Sequence, residues 1–188
     1  MYYDPKVKLT LGALVDAIIP NTPRLAFDLG AIQAVGGLYS HIDEYLSWSL
    51  DHFFFNVNLA SPTAELLDIA ASQLIEMGEA GESLDPAASP KGSCFAALSQ
   101  KDRLKAIALL PFPYENNPIF IQIIADALNR FTVFGYYSEW SGYGVTRFTP
   151  FEGRKLEDIP VSWKQVRYPG KAHRYHALRG YLVDKFTE

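Results

Sequence analysis

Pro118-Ile119-Phe120-Ile121-Gln122-Ile123-Ile124-Ala125-Asp126-Ala127-Leu128-Asn129-Arg130-Phe131-Thr132-Val133-Phe134 is the stretch that decides the fold class of this chain. Phe120, Ile123, Ile124, Ala127, Leu128, Phe131 and Phe134 recur at the three- and four-residue spacing that puts apolar side chains on one face of an α-helix. At 1.5 Å per residue the stripe runs for about 21 Å, wide enough for a central core helix. Asn117-Pro118 opens it, and Gln122, Asp126, Asn129 and Arg130 interrupt it, which argues for water rather than lipid around it.

Upstream the same period returns. Leu11, Leu14, Val15 and Ile18 make one apolar stripe from Thr10 to Ile19, with Thr10 as a cap and Pro20 as the stop. Ile32, Val35, Tyr39, Ile42, Leu46, Leu50 and Phe53 make another; Gly36-Gly37 weakens its early part, so that helix is expected from Leu38. Ser61-Pro62 reads as cap and first helical position, with Leu66, Ala70, Leu74 and Met77 following on one face. Residues 78–93, rich in Gly, Pro and Ser, read as a long loop. Ser99-x-x-Asp102 resembles a capping box for a helix carrying Leu104, Ile107, Ala108 and Leu110, stopped by Pro111.

After Gly135 the period vanishes. Twelve aromatic residues lie between Phe134 and Phe186, mixed with glycine and basic residues. The expectation is a mainly α, single-domain chain over 1–188. About five helices form the core of residues 1–134, and an aromatic, basic, mostly irregular tail over 135–188 packs on it, with one short helix near Ala172–Val183. A chain of 188 residues buries about 70% of its unfolded surface without needing staples. With 48% hydrophobic and 20% charged residues it is not a disordered chain. No apolar run is long enough to span a bilayer, and the first residues lack the pattern of a secretory signal, so a soluble chain is expected. The net charge of −4 divides into −8 over residues 1–146 and +4 over 147–188, far from the basic stripe of a nucleic-acid binder.

Chemistry is hard to place. His173-x-x-His176 sets two imidazoles one turn apart, but Asp184 and Glu188 are poorly spaced to complete a metal site, and two core-edge histidines are the plainer reading. The single Cys94 has no histidine near it in sequence, excludes a Cys₄ zinc site and reads as a packed thiol. Asp43-Glu44 and Glu139 can be drawn as an acid/base pair that nothing in the sequence converges. No dinucleotide fingerprint, P-loop or nucleophile elbow is present. The aromatic tail remains. Tyr136, Trp140, Tyr143, Arg147, Trp163, Arg167 and Tyr168 are the types that anchor protein interfaces, and they equally suit a cover over the core.

Three stretches resemble the gluconate 2-dehydrogenase subunit 3 family. They are Leu11-Gly12-Ala13-Leu14-Val15-Asp16-Ala17-Ile18-Ile19-Pro20, the turn region from Thr132 to Gly144, and Trp163 to Gly170 with its Tyr168-Pro169-Gly170 ending. The resemblance implies a non-catalytic accessory or maturation subunit of a flavin-dependent sugar or sugar-acid dehydrogenase. The FAD then belongs to a separate large flavoprotein and haem, where present, to a cytochrome subunit; no cofactor or metal is expected in this chain. The chain shows no twin-arginine segment, so the cytoplasm is expected, with the cell envelope beside an exported partner as the alternative. Two other readings stay open. One is a stand-alone small-ligand binder or enzyme, with a pocket between the long helix and the tail using Glu139, His173, Arg174 and His176. The other is a self-assembling structural protein.

Overall fold

Asp4 opens the first helix of the computed structural model, which describes residues 4–52, 57–85, 92–110 and 118–168. Its carboxylate accepts the Lys6 N–H at 2.7 Å, and Pro5 takes the first position of α1 (Pro5–Ile18), where no N–H is needed. Thr10 is therefore inside the helix, not its cap. Its hydroxyl lies 2.9 Å from the Lys6 carbonyl and 2.8 Å from Ser93 Oγ. Ser93 in turn donates to Asp68 Oδ1 at 2.9 Å, Phe95 N–H donates to the same oxygen at 3.0 Å, and Lys6 Nζ sits 2.9 Å from Asp68 Oδ2. A buried polar relay thus ties α1 to its neighbours.

The described residues form eight α-helices and no strand, a mainly α fold. The others are α2 (Ala26–Leu29), α3 (Ile42–His52), α4 (Ala60–Glu76), α5 (Cys94–Ala97), α6 (Gln100–Leu109), α7 (Pro118–Tyr137) and α8 (Val161–Gln165). Among them no helix is long and apolar enough to cross a membrane. The centre is α1, which packs on α3, α4, α5, α6 and α7. Leu11, Leu14 and Val15 are sealed, and small Gly12, Ala13 and Ala17 let helices close on its remaining faces. The long helix α7, expected at the centre, instead flanks the bundle and packs chiefly on α3. Its buried line runs through Ile124, Ala127, Leu128, Thr132, Gly135 and Tyr136, while Phe134 points outward at 65% exposure. A Cβ on Gly135 would overlap the Tyr45 ring, so glycine there lets α7 touch α3.

Gly36-Gly37 has a similar cause. Gly37 N–H donates to the Ile19 carbonyl at 2.9 Å, and a Cβ on Gly36 would meet the backbone of Pro20 and Asn21 at 2.5–2.6 Å. The chain is 3₁₀ over Gly37–Ser40 and becomes α-helical only at Ile42. α4 begins at Ala60, two residues ahead of the position expected for Pro62, because Asp51 Oδ1 caps it by accepting the Ala60 N–H at 2.8 Å. The expected capping box is present: Ser99 Oγ accepts the Asp102 N–H at 3.2 Å. The buried face of α6 is Asp102, Ala106 and, just beyond its end, Leu110, whereas Leu104 and Ala108 face out.

Asp102 also holds the loop after α4. Its carboxylate meets Lys105 Nζ at 2.7 Å, Ser99 Oγ at 2.9 Å, and the N–H groups of Gly81 and Glu82 at 3.1 and 3.3 Å. The Lys105 hydrogen bond, then those from Ser99 and Gly81, outweigh desolvation and hold its pKa at about 2 against an ordinary 3.8. A depressed carboxyl contributes stability above its unfolded pKa and loses it as pH falls through the folded value. Urea midpoints are therefore expected to drop between about pH 4 and pH 2 more steeply in the parent than in Asp102→Asn. Parallel pH profiles would refute the role given to Asp102.

Candidate functional site

Residues 138–168 fold as an aromatic cover over α3 and α7. Trp140 is its pin. The indole is 2% exposed, donates Nε1–H to the His41 carbonyl at 3.0 Å, and meets Tyr45 edge-on with centroids 5.3 Å apart. Phe148 closes on its other side at 5.5 Å, and Trp48 lies 6.0 Å away. The Arg154 guanidinium rests over Trp48 at 4.9 Å and faces Trp140 and Tyr143 at 5.7 and 5.9 Å. Three π-faces hold one cation there, which fastens the loop carrying Arg154.

A second clasp joins α7, α8 and the segment before α3. The Tyr136 hydroxyl lies 2.9 Å from the Val35 carbonyl and 2.7 Å from Gln165 Oε1, two acceptors for its one proton. Gln165 Nε2 donates to the Ile32 carbonyl at 2.8 Å, and Gln33 Nε2 returns a bond to the Gln165 carbonyl at 2.9 Å. Arg147 Nη1 pairs with Glu44 Oε2 at 2.8 Å, and its Nε donates to the Gly144 carbonyl.

These contacts sort the seven residues read from the sequence as interface anchors. Tyr136, Trp140 and Arg147 are buried within the chain and spend their polar groups on it, so they are cover residues and not free anchors. Tyr143 is partly covered, and its hydroxyl donates to Glu139 Oε2 at 2.6 Å. Desolvation first, then Glu139, pushes that phenol up to about 12. Trp163 is half-buried and donates Nε1–H to the Tyr137 carbonyl at 3.0 Å, with Tyr168 stacked edge-on at 4.8 Å. Arg167 and Tyr168 stand in solvent.

The chemical candidates do not converge. Glu44 is committed to Arg147, Glu139 to Tyr143, and Asp43 opens on a different cleft. Cys94 is exposed, not packed, and leads a single helical turn. No cluster of three metal-ligating side chains occurs among the described residues. His173, Arg174 and His176, and the helix expected near them, lie outside the described residues. The space between α7 and the described cover is occupied by Tyr136 and Trp140.

What the sequence reading missed is an exposed apolar band. Three short helical turns before α3 carry Leu25, Phe27, Leu29 and Tyr39 into solvent, with Phe27 97% exposed. Between this segment and α8 runs a groove of about 620 Å³, with Ile32, Leu38 and Ile159 on its apolar side and His41, Asp158 and Lys164 on its polar side. Leu25, Phe27 and Leu29 alternate over only five residues, too short a run to mark a face as buried or exposed. No family model, curated protein or solved structure matches this chain.

Proposed function

We propose that the chain is a non-catalytic accessory subunit whose exposed band, Leu25 to Tyr39 with the neighbouring groove, docks onto a larger oxidoreductase. The observation that carries this reading is the solvent exposure of Phe27, with Leu25, Leu29 and Tyr39 also exposed on the segment before α3. Large apolar groups held in water are a standing cost that a partner removes, at about 25 cal/mol per Å² of apolar surface covered. The partner class comes from the sequence resemblance: a large flavoprotein dehydrogenase of sugars or sugar acids that carries the FAD, with a cytochrome subunit as a further component. Among the described residues Glu44, Arg147, Glu139 and Tyr143 are engaged in structural bonds rather than aimed at a common point, which suits a subunit that supports chemistry elsewhere.

The test is co-expression with a glucose–methanol–choline-type flavoprotein encoded beside this chain. The pair is expected to co-purify with flavin in the large subunit. Phe27→Asp should reduce capture roughly tenfold or more, the effect of truncating a central aromatic anchor. Its urea midpoint should hardly move, because Phe27 touches little of its own chain. Absence of co-purification, or equal capture by Phe27→Asp and the parent, overturns the reading.

A further inference from the structure

Where α1, α6 and the start of α3 meet, the surface folds into a cleft of about 380 Å³. Leu9, Ala13, Leu38 and Ala96 give it an apolar lining, and Gly12 leaves room in its middle. One side chain there is out of place. Asp43 lines the cleft at only 9% exposure, and no ion pair or side-chain hydrogen bond to it exists among the described residues. Its charge is eased by the backbone N–H of Glu44, next in the chain, and through space by Lys8 and His41. A carboxylate this buried with no cation in direct contact is costly, and such groups are normally paired.

The cations nearby do not supply the partner. Arg103 is engaged by Asp16 Oδ2 at 3.0 Å and by the carbonyls of Ala96 at 2.9 Å and Ala13 at 3.5 Å. Lys8 stands on the same rim and attracts Asp43 through space without pairing with it directly. His41, on the turn before α3, pairs instead with Glu44 at 3.7 Å. Asp85 adds a further carboxylate at the edge.

We infer that this cleft binds a small aliphatic ammonium compound, its charged head on Asp43 and its alkyl body along Leu9, Gly12, Ala13 and Leu38. An ammonium gives the buried carboxylate the direct cationic partner that none of these side chains supplies, and the apolar part of the lining suits a short alkyl chain. The site is separate from the band assigned to docking, so it stands whether or not that assignment does.

The probe is n-pentylamine at pH 7.5, titrated into the whole chain and followed by amide chemical shifts. Saturating shifts are expected at Gly12, Ala13 and Leu38, with n-pentanol giving none. Asp43→Asn keeps the shape and the acceptor toward Glu44 N–H but removes the charge, and should weaken binding roughly tenfold or more. Gly12→Ala, whose added Cβ would sit an ordinary 3.6 Å from Leu38 Cδ2, is a second variant that narrows the cleft and should also weaken binding. Failure to saturate in the millimolar range, equal response to n-pentanol, or unchanged affinity in both variants overturns the assignment.

Discussion

Trp140→Ala is expected to lower the stability of the chain by about 3–5 kcal/mol, the usual cost of emptying a large aromatic site in a core. The loss has three parts. The buried indole leaves a void between Tyr45, Phe148 and Trp48 that helices of fixed length cannot close. The His41 carbonyl loses its donor. Arg154 loses one of the rings around it. Trp163→Ala, which removes a half-buried ring at the edge, should cost clearly less. Urea titrations of the two variants decide the matter. If Trp140→Ala unfolds within 1 kcal/mol of the parent, on the order of an ordinary surface change, the ring does not hold the cover.

Ile124→Ala is expected to cost about 2–5 kcal/mol, while Phe134→Ala should stay within about 0.5 kcal/mol. Both lie on the apolar stripe read from the sequence, yet only Ile124 is sealed between α7 and the bundle. Chemical denaturation of both variants measures which way α7 faces. A large loss for Phe134→Ala with a small one for Ile124→Ala would mean that the helix is turned away from the arrangement described.

That pair also shows how far the sequence could be read. The apolar period locates α1, α3, α4, α6 and α7, because a helix that buries one face must repeat near 3.6 residues. It cannot say which apolar residue at the edge of a wide stripe is left outside; on α7 the stripe is broader than its contact with α3. Helix starts were misread where the cap came from elsewhere. Thr10 and Ser61 look like caps locally, but Asp4 caps α1 from ahead and Asp51 reaches α4 from the preceding helix. The cover was legible as aromatic and irregular, but not as buried. Its residues are fixed by partners about a hundred positions away, which no local spacing records. The exposed Leu25, Phe27 and Leu29 were missed, and Asp43 was legible only as part of an acid pair that nothing converges, because each is defined by what fails to cover or pair with it.

The two clasps of the cover carry a consequence for how the chain is made. Trp140 reaches back 99 residues to His41, Tyr136 reaches 101 to Val35, and Arg147 reaches 103 to Glu44. At ribosomal rates of about 5–20 residues per second, the face of α3 that bears Tyr45 and Trp48 waits roughly 5–20 s for its lid to be synthesised. Closing such distant contacts is also slow, since the loop entropy is lost before any contact returns it. A nascent chain in that interval presents aromatic surface that the finished fold conceals. Chaperone occupancy during translation should therefore fall when Trp140 emerges, well after the helical core can assemble.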